Sequence, residues 1–323
     1  MLAAGVDAGT KSYRIALIDS RGEHKELIEI PTVKIKKDPE ILVRKLEEVN
    51  ADVYSGLSGY GLPVKHFSEL SDRDVRLMTL TIEKESSLGL RKLIEIISGK
   101  DFEFYTIPAV IHLPSVPDYR KFCRIDMGTY DKLCSALFAM TELEEENFVI
   151  AEIGYGYSSV LAVENGKIVD GFGGSSFLPS YNFVGCLDSE VAYLLGEFPK
   201  SILKAGLSVF GDKAIDFLAE NVAKGIAAMS VVVSPEKVFL SGRFAEKIAR
   251  VIAGKIPDVD VLDANSSSFG AAIVSSAIAG GKFKKHVENA GIFSAKGCVL
   301  DYLPAEIRKR IEVKLFSRKE YGK

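Results

Sequence analysis

Residues 5–12 read Gly5-Val6-Asp7-Ala8-Gly9-Thr10-Lys11-Ser12, with Ala16-Leu17-Ile18-Asp19 following closely. The apolar run from Leu2 to Asp7, the turn from Ala8 to Ser12 and the apolar run from Tyr13 to Asp19 predict a hairpin. A turn built from Gly, Thr and Ser lets backbone N–H groups and hydroxyls approach phosphate oxygens, because glycine removes the side chain that would block them. Asp7, at the strand end, is placed to hold a hydrated divalent cation beside those phosphates. One such turn is weak evidence, since most hairpins carry a glycine and bind nothing.

The chain beyond it strengthens the case. Lys25 to Val33 alternates as a third strand, which predicts an antiparallel meander. Helices are predicted over Pro39–Val49, on the spacing of Ile41, Leu42, Leu46 and Val49, and over Ser86–Ile97. Strands are predicted over Ala51–Ser58 and Phe102–Ile107, and Asp126 to Phe138 starts with a glycine turn and becomes helical. After the charged run Glu142 to Asn147 the opening pattern returns: Phe148 to Ile153 is apolar, Gly154-Tyr155-Gly156-Tyr157-Ser158-Ser159 is a turn, and Val160–Val163 and Ile168–Gly171 are further strands. Glu152 stands where Asp7 stood. A helix with a small-residue face is predicted over Ala214–Val232, then strand Val238–Leu240, turn Ser241-Gly242, helix Phe244–Ile252, strand Val259–Leu262, helix Ser268–Ala279 and a tail helix around Pro304–Val313. Two glycine turns, each after an acid and in the same strand context, point to a nucleotide. The repeat predicts two domains, residues 1–147 and 148–323.

Composition agrees with that scale. A chain of 323 residues suits about two domains. With 47% hydrophobic and 26% charged residues it is neither disordered nor a disulfide scaffold. A formal charge of -3 gives no global field for nucleic acid or an anionic membrane, and the runs Lys34–Lys37 and Lys282–Lys285 read as solvated faces. Cys123, Cys134, Cys186 and Cys298 are too scattered for a metal site and read as reduced thiols. The N-terminus has no signal-peptide pattern and no run reaches membrane length, so a cytoplasmic protein is expected. Glutamine and tryptophan are absent while Lys and Glu abound, which points to a thermophilic source.

The stretch from Gly5 to Asp19 resembles the first phosphate motif of the acetate and sugar kinase, Hsp70 and actin (ASKHA) superfamily. Ile153 to Val160 resembles its second phosphate motif, Val238-Phe239-Leu240-Ser241-Gly242-Arg243 its adenosine motif, and Ser267 to Ala272 the start of its second connecting helix. Within the superfamily the likeness is to butyrate kinase and an archaeal group of similar proteins. The resemblance spans about residues 2–280. It implies an α/β protein of two RNase H-like, actin-like ATPase lobes around an interdomain nucleotide cleft. It also implies ATP and Mg2+ as cofactors, with the metal facing Asp7 and Glu152, a small-molecule substrate and a homodimer. Nucleotide contacts would come from Gly9, Thr10, Lys11, Ser12, Gly154, Tyr155, Gly156, Ser158, Ser241, Gly242 and Arg243. Glu152 departs from the usual Asp by one methylene, and Arg243 replaces a second glycine.

Phosphoryl transfer needs positioning and charge neutralisation more than covalent help. Lys11 and Arg14 lie at the first turn, Arg14 pointing either inward or to solvent. A carboxylate acceptor needs no base but calls for Arg or His, whereas an alcohol calls for a carboxylate base. Arg124, Asp126 and His112 are the candidates, alongside Asp7 and Glu152. His112 reads equally as a structural residue, and Asp126 as a helix cap. The loop at Ser58, Gly59 and Tyr60 and the glycine-rich loop at Gly173, Gly174 and Ser175 are expected to line the substrate pocket. The leading expectation is a kinase for a short-chain carboxylic acid; the alternatives are an ATPase that drives conformational change and a nucleotide sensor.

Overall fold

The computed structural model describes residues 1–82 and 88–316. Strands β1 (Leu2–Ala8), β2 (Ser12–Asp19) and β3 (His24–Pro31) form the expected meander, with Ala8 opposite Tyr13 at its first turn. The third strand stops at Pro31, which has no N–H to extend the ladder, and the chain turns into helix α1 (Thr32–Lys37). Helix α2 (Glu40–Val49), strand β4 (Val53–Gly56), helices α3 (Asp72–Thr79) and α4 (Leu88–Ser98), strand β5 (Phe104–Tyr105) and the single turn α5 (Asp118–Lys121) lead to α6 (Tyr130–Glu142). The sequence pattern missed α1, α3 and α5, overextended β4 and β5, and began α4 at Ser86, outside the described residues. The strands form one mixed sheet in the order β3-β2-β1-β4-β5.

The second half repeats this plan. Strands β6 (Phe148–Ile153), β7 (Ser158–Glu164) and β8 (Lys167–Phe172) make the second meander. After the unanticipated α7 (Ser189–Leu195) come α8 (Ala214–Val232), β9 (Lys237–Ser241), α9 (Ala245–Ile252), β10 (Val259–Val261) and α10 (Ser266–Ile278). The sheet order is β10-β9-β6-β7-β8, the same topology with β6 in the place of β1. Two helices close the chain, α11 (Lys284–Asn289) and α12 (Ala305–Phe316), the latter where the tail helix was expected.

The halves are joined by exchange. Helix α10, from the second half, packs on β1, β2 and β4 of the first sheet, while α6, from the first half, touches β6 and β7 of the second. The two helices also cross each other closely, since a β-carbon on Gly270 would lie 1.9 Å from the Cys134 carbonyl oxygen, and α10 comes as near to β1, where one on Gly5 would lie 2.1 Å from the Ala272 nitrogen. Only glycine allows backbones so near. Ser275 Oγ donates to the Ala4 carbonyl at 2.7 Å and lies 2.8 Å from Ser55 Oγ, satisfying polar groups that the crossing buries. This exchange brings the first turn of each meander to one cleft. Among the described residues no helix is long and apolar enough to cross a membrane.

Candidate nucleotide cleft

The two glycine turns line opposite walls of one cleft, which contains Asp7, Gly9, Thr10, Lys11, Ser12, Glu152, Gly154, Tyr155, Gly156, Ser241, Gly242 and Arg243. Each turn has its carbonyls anchored from behind. The Thr32 hydroxyl donates to the Gly9 carbonyl at 2.7 Å and the Thr32 N–H to the Lys11 carbonyl at 3.0 Å. In the second lobe Asn182 does the same work, its side-chain amide donating to the Tyr155 carbonyl at 3.2 Å and its N–H to the Gly156 carbonyl at 3.4 Å. In a trans peptide the C=O and the following N–H point opposite ways. Holding these carbonyls therefore turns the amides of Thr10, Gly156 and Tyr157 toward the cleft, the arrangement that makes a concave anion site.

Cations complete the walls. Lys11 Nζ crosses between lobes to lie 4.0 Å from the centre of the Tyr155 ring. Arg14 points inward, lining the cleft with Nη1 on the Ala264 carbonyl at 2.9 Å. Arg243 is exposed at the rim.

Sequence reasoning missed the charged cluster on the cleft floor. Helix α6 begins with Tyr130, Asp131 and Lys132, all three in the cleft. The Tyr130 hydroxyl accepts from the Ala8 N–H at 3.1 Å and donates to the Val6 carbonyl at 3.3 Å, clamping the backbone on both sides of Asp7. Lys132 pairs with Asp131 and, at 2.7 Å, with Glu152 Oε2. Asp7 Oδ2 accepts from Ser267 at 2.8 Å. Burial, and then the Asp131 carboxylate, pushes the Asp7 carboxyl up to about 6, against the opposing pull of Lys132 and Ser267. Burial pulls the Lys132 ammonium down, but Asp131 and Glu152 outweigh it and hold it above the usual lysine value.

The cleft is also lined by Gly59, Tyr60, Met78, Thr79, Leu90, Asp126, Tyr157 and Gly174. Asp126 is the latch of the glycine-rich loop: Oδ2 accepts from the Ser175 N–H and hydroxyl, each at 3.0 Å, and Oδ1 accepts from the Gly128 N–H at 3.1 Å. Burial, then Asp126 and Tyr157, push the Tyr60 hydroxyl well above the usual tyrosine range, so it stays a neutral donor. Gly173 and Ser175 stand behind Gly174 against Asp126 rather than on the wall.

Four expected residues lie elsewhere. His112 is 3% exposed, with Nδ1 accepting from the Ala109 N–H at 3.1 Å, and burial pushes its imidazole down to about 4. It does not line the cleft. Arg124 sits over the Phe172 ring at 5.0 Å, on the β8 side, outside the cleft wall. Ser158 is buried in β7, its N–H donating to Ser180 Oγ at 2.8 Å. Ser58 braces the backbone, donating to the Gly56 carbonyl and accepting from the Ile107 N–H, both at 2.8 Å.

Two topologically equivalent lobes, with exchanged helices and facing glycine turns, define the ASKHA fold. The chain belongs to the family described as "Protein of unknown function (DUF1464)", which matches residues 5–305. No curated protein matches it. Acetate kinase from Entamoeba histolytica is similar in structure, with a TM-score of 0.53 at 14% identity over 79% of this chain and 86% of that one. Component A of (R)-2-hydroxyglutaryl-CoA dehydratase from Acidaminococcus fermentans matches more loosely, at TM-score 0.43 and 13% identity over 87% and 99% of the two chains. A ROK family glucokinase from Streptomyces griseus, in complex with glucose and AMPPNP, gives 0.45 and 13% over 85% and 99%. The finer likeness to butyrate kinase rests on the sequence motifs alone.

Proposed function

We propose that the protein is an ATP-dependent phosphotransferase acting on a small molecule. The observation that carries this reading is the pair of anchored turns, Gly9–Ser12 and Gly154–Tyr157, which face one cleft lined by Lys11, Arg14 and Lys132. The turns grip the phosphates, and closure of the lobes excludes water. The donor set suits one hydrated Mg2+ through Asp7, whose Oδ1 has no donor among the described residues. Glu152 fits that task poorly, because its Oε2 is committed to Lys132. A bound Mg2+ would screen the phosphates.

The acceptor end favours a neutral hydroxyl compound over a carboxylic acid. His112 and Arg124, the two groups suited to hold a carboxylate, are not on the wall, and the acid there, Asp126, would repel one. Asp126 would orient a hydroxyl and accept its proton as the new O–P bond forms and ADP leaves. The Tyr60 hydroxyl donates to the bound acceptor.

The test is ADP release from ATP with panels of sugars, polyols and short-chain carboxylates. Release that depends on a hydroxyl compound supports the proposal. Dependence on carboxylates alone overturns the acceptor reading, and acceptor-independent release makes the protein an ATPase.

A further inference from the structure

Lys132 lies in the first turn of α6, and Glu152 lies near the end of β6, the central strand of the other sheet. Their side chains are only 13% and 16% exposed, and Nζ stands 2.7 Å from Oε2. Asp131 takes a second donor of the same ammonium. Asp7 lines the same cleft, and the Lys132 charge acts on its carboxyl as well. Glutamate in place of aspartate acquires a physical reason here, since the extra methylene extends the carboxylate from its strand to the ammonium on the opposite helix. Oε1 lies close to Gly242, 2.9 Å from where a β-carbon there would stand.

We infer that the Lys132 ammonium supplies the positive charge on the Glu152 side of the cleft, where a divalent ion would otherwise sit, so that a nucleoside diphosphate binds without a metal. The inference rests on the nucleotide reading above. An ammonium has three donors. One is held by Asp131, Glu152 holds the ammonium as an ion partner, and a free donor can reach a phosphate oxygen in the cleft that Lys132 lines. The two carboxylates fix the side chain in place, so its position is set before the ligand arrives. A divalent ion at Glu152 would have to displace the ammonium and then stand against it as a like charge. Asp7 remains available to a hydrated ion, which the transfer step can use but nucleotide binding does not need.

The test is calorimetric titration of ADP into the full chain, once in EDTA and once in excess Mg2+, for the wild type, Lys132→Met and Lys132→Arg. The expected wild-type affinities agree within about threefold between the two buffers, while Lys132→Met loses about tenfold or more in EDTA and Lys132→Arg keeps most of its affinity. A wild type that binds ADP in Mg2+ but loses about tenfold in EDTA overturns the inference and leaves the nucleotide reading standing. Lys132→Met binding like the wild type in EDTA overturns it as well. No binding in either buffer overturns the nucleotide reading and this inference with it. Should Lys132→Met fail to fold, the wild-type comparison and Lys132→Arg still decide.

Discussion

Thr10 and Gly156, on opposite lobes, stand close to one another: Thr10 Oγ1 lies 3.3 Å from the point where a β-carbon on Gly156 would stand. Behind the two turns, α6 and α10 cross each other.

That crossing is itself testable. A methyl on Gly270 would overlap the Cys134 carbonyl, an atom that cannot move without shifting α6. Gly270→Ala is expected to destabilise the protein by about 1–3 kcal/mol, the usual range for overpacking. Thermal melts read this as a lower midpoint, and an unchanged midpoint would mean the helices do not meet as described.

The topology was legible from the chain because it is local and repeated. Strand, glycine turn and strand recur at Gly5–Asp19 and Phe148–Val163, with an acid before each turn. The anchors of those turns were not legible. Thr32 reaches Gly9 from 23 residues away, and Asn182 reaches Tyr155 from 27. Neither residue has a pattern of its own, since a threonine after a proline and an asparagine between aromatics are ordinary loop residues. Lys132 was hidden the same way, because on a helix it reads as solvated until Glu152 is folded against it. His112 misled for the opposite reason: its neighbour Pro114 marks a loop correctly but says nothing about which way the loop faces.

Asp7 sets one pH dependence. Its carboxyl titrates at about 6 in the folded chain against 3.8 as a free side chain, so the native state binds the proton more tightly. Its contribution to stability is complete below about 3.8 and is lost as pH rises through about 6. Asp7→Asn mimics the protonated form, and denaturant melts should find it more stable than the wild type by up to roughly 3 kcal/mol near pH 7, the advantage vanishing near pH 4. The same variant should lose Mg2+-dependent turnover.

His112 has the opposite sign. Its folded value of about 4 lies below the free value of 6.5, so the unfolded chain binds the extra proton between them. Stability from this group is present above about 6.5 and falls toward about 4. His112→Asn should flatten that acid-side loss in urea melts and leave turnover near pH 8 within about twofold of the wild type. A large loss of turnover would return the residue to the catalytic set.

Asp126 holds the loop Gly173–Ser176 by two hydrogen bonds from Ser175 and braces the Gly128 N–H with a third. Asp126→Ala leaves those donors without their acceptor, and the expected outcome is turnover reduced by about 100-fold or more, with ADP affinity nearly unchanged. Steady-state kinetics and ADP titration together check this, because a loss of ADP affinity equal to the loss of turnover would place Asp126 on the nucleotide side.

The central claim is that phosphates lie between the two glycine turns. It is tested most directly by titrating ADP into the wild type and into Gly156→Val, whose side chain would project between Thr10 and the Phe183 ring, 3.2 Å from its nearest atom. The account predicts clear binding by the wild type and a loss of about tenfold or more in the variant, with the fold retained. Equal affinity in both proteins, or no binding by the wild type, would contradict it.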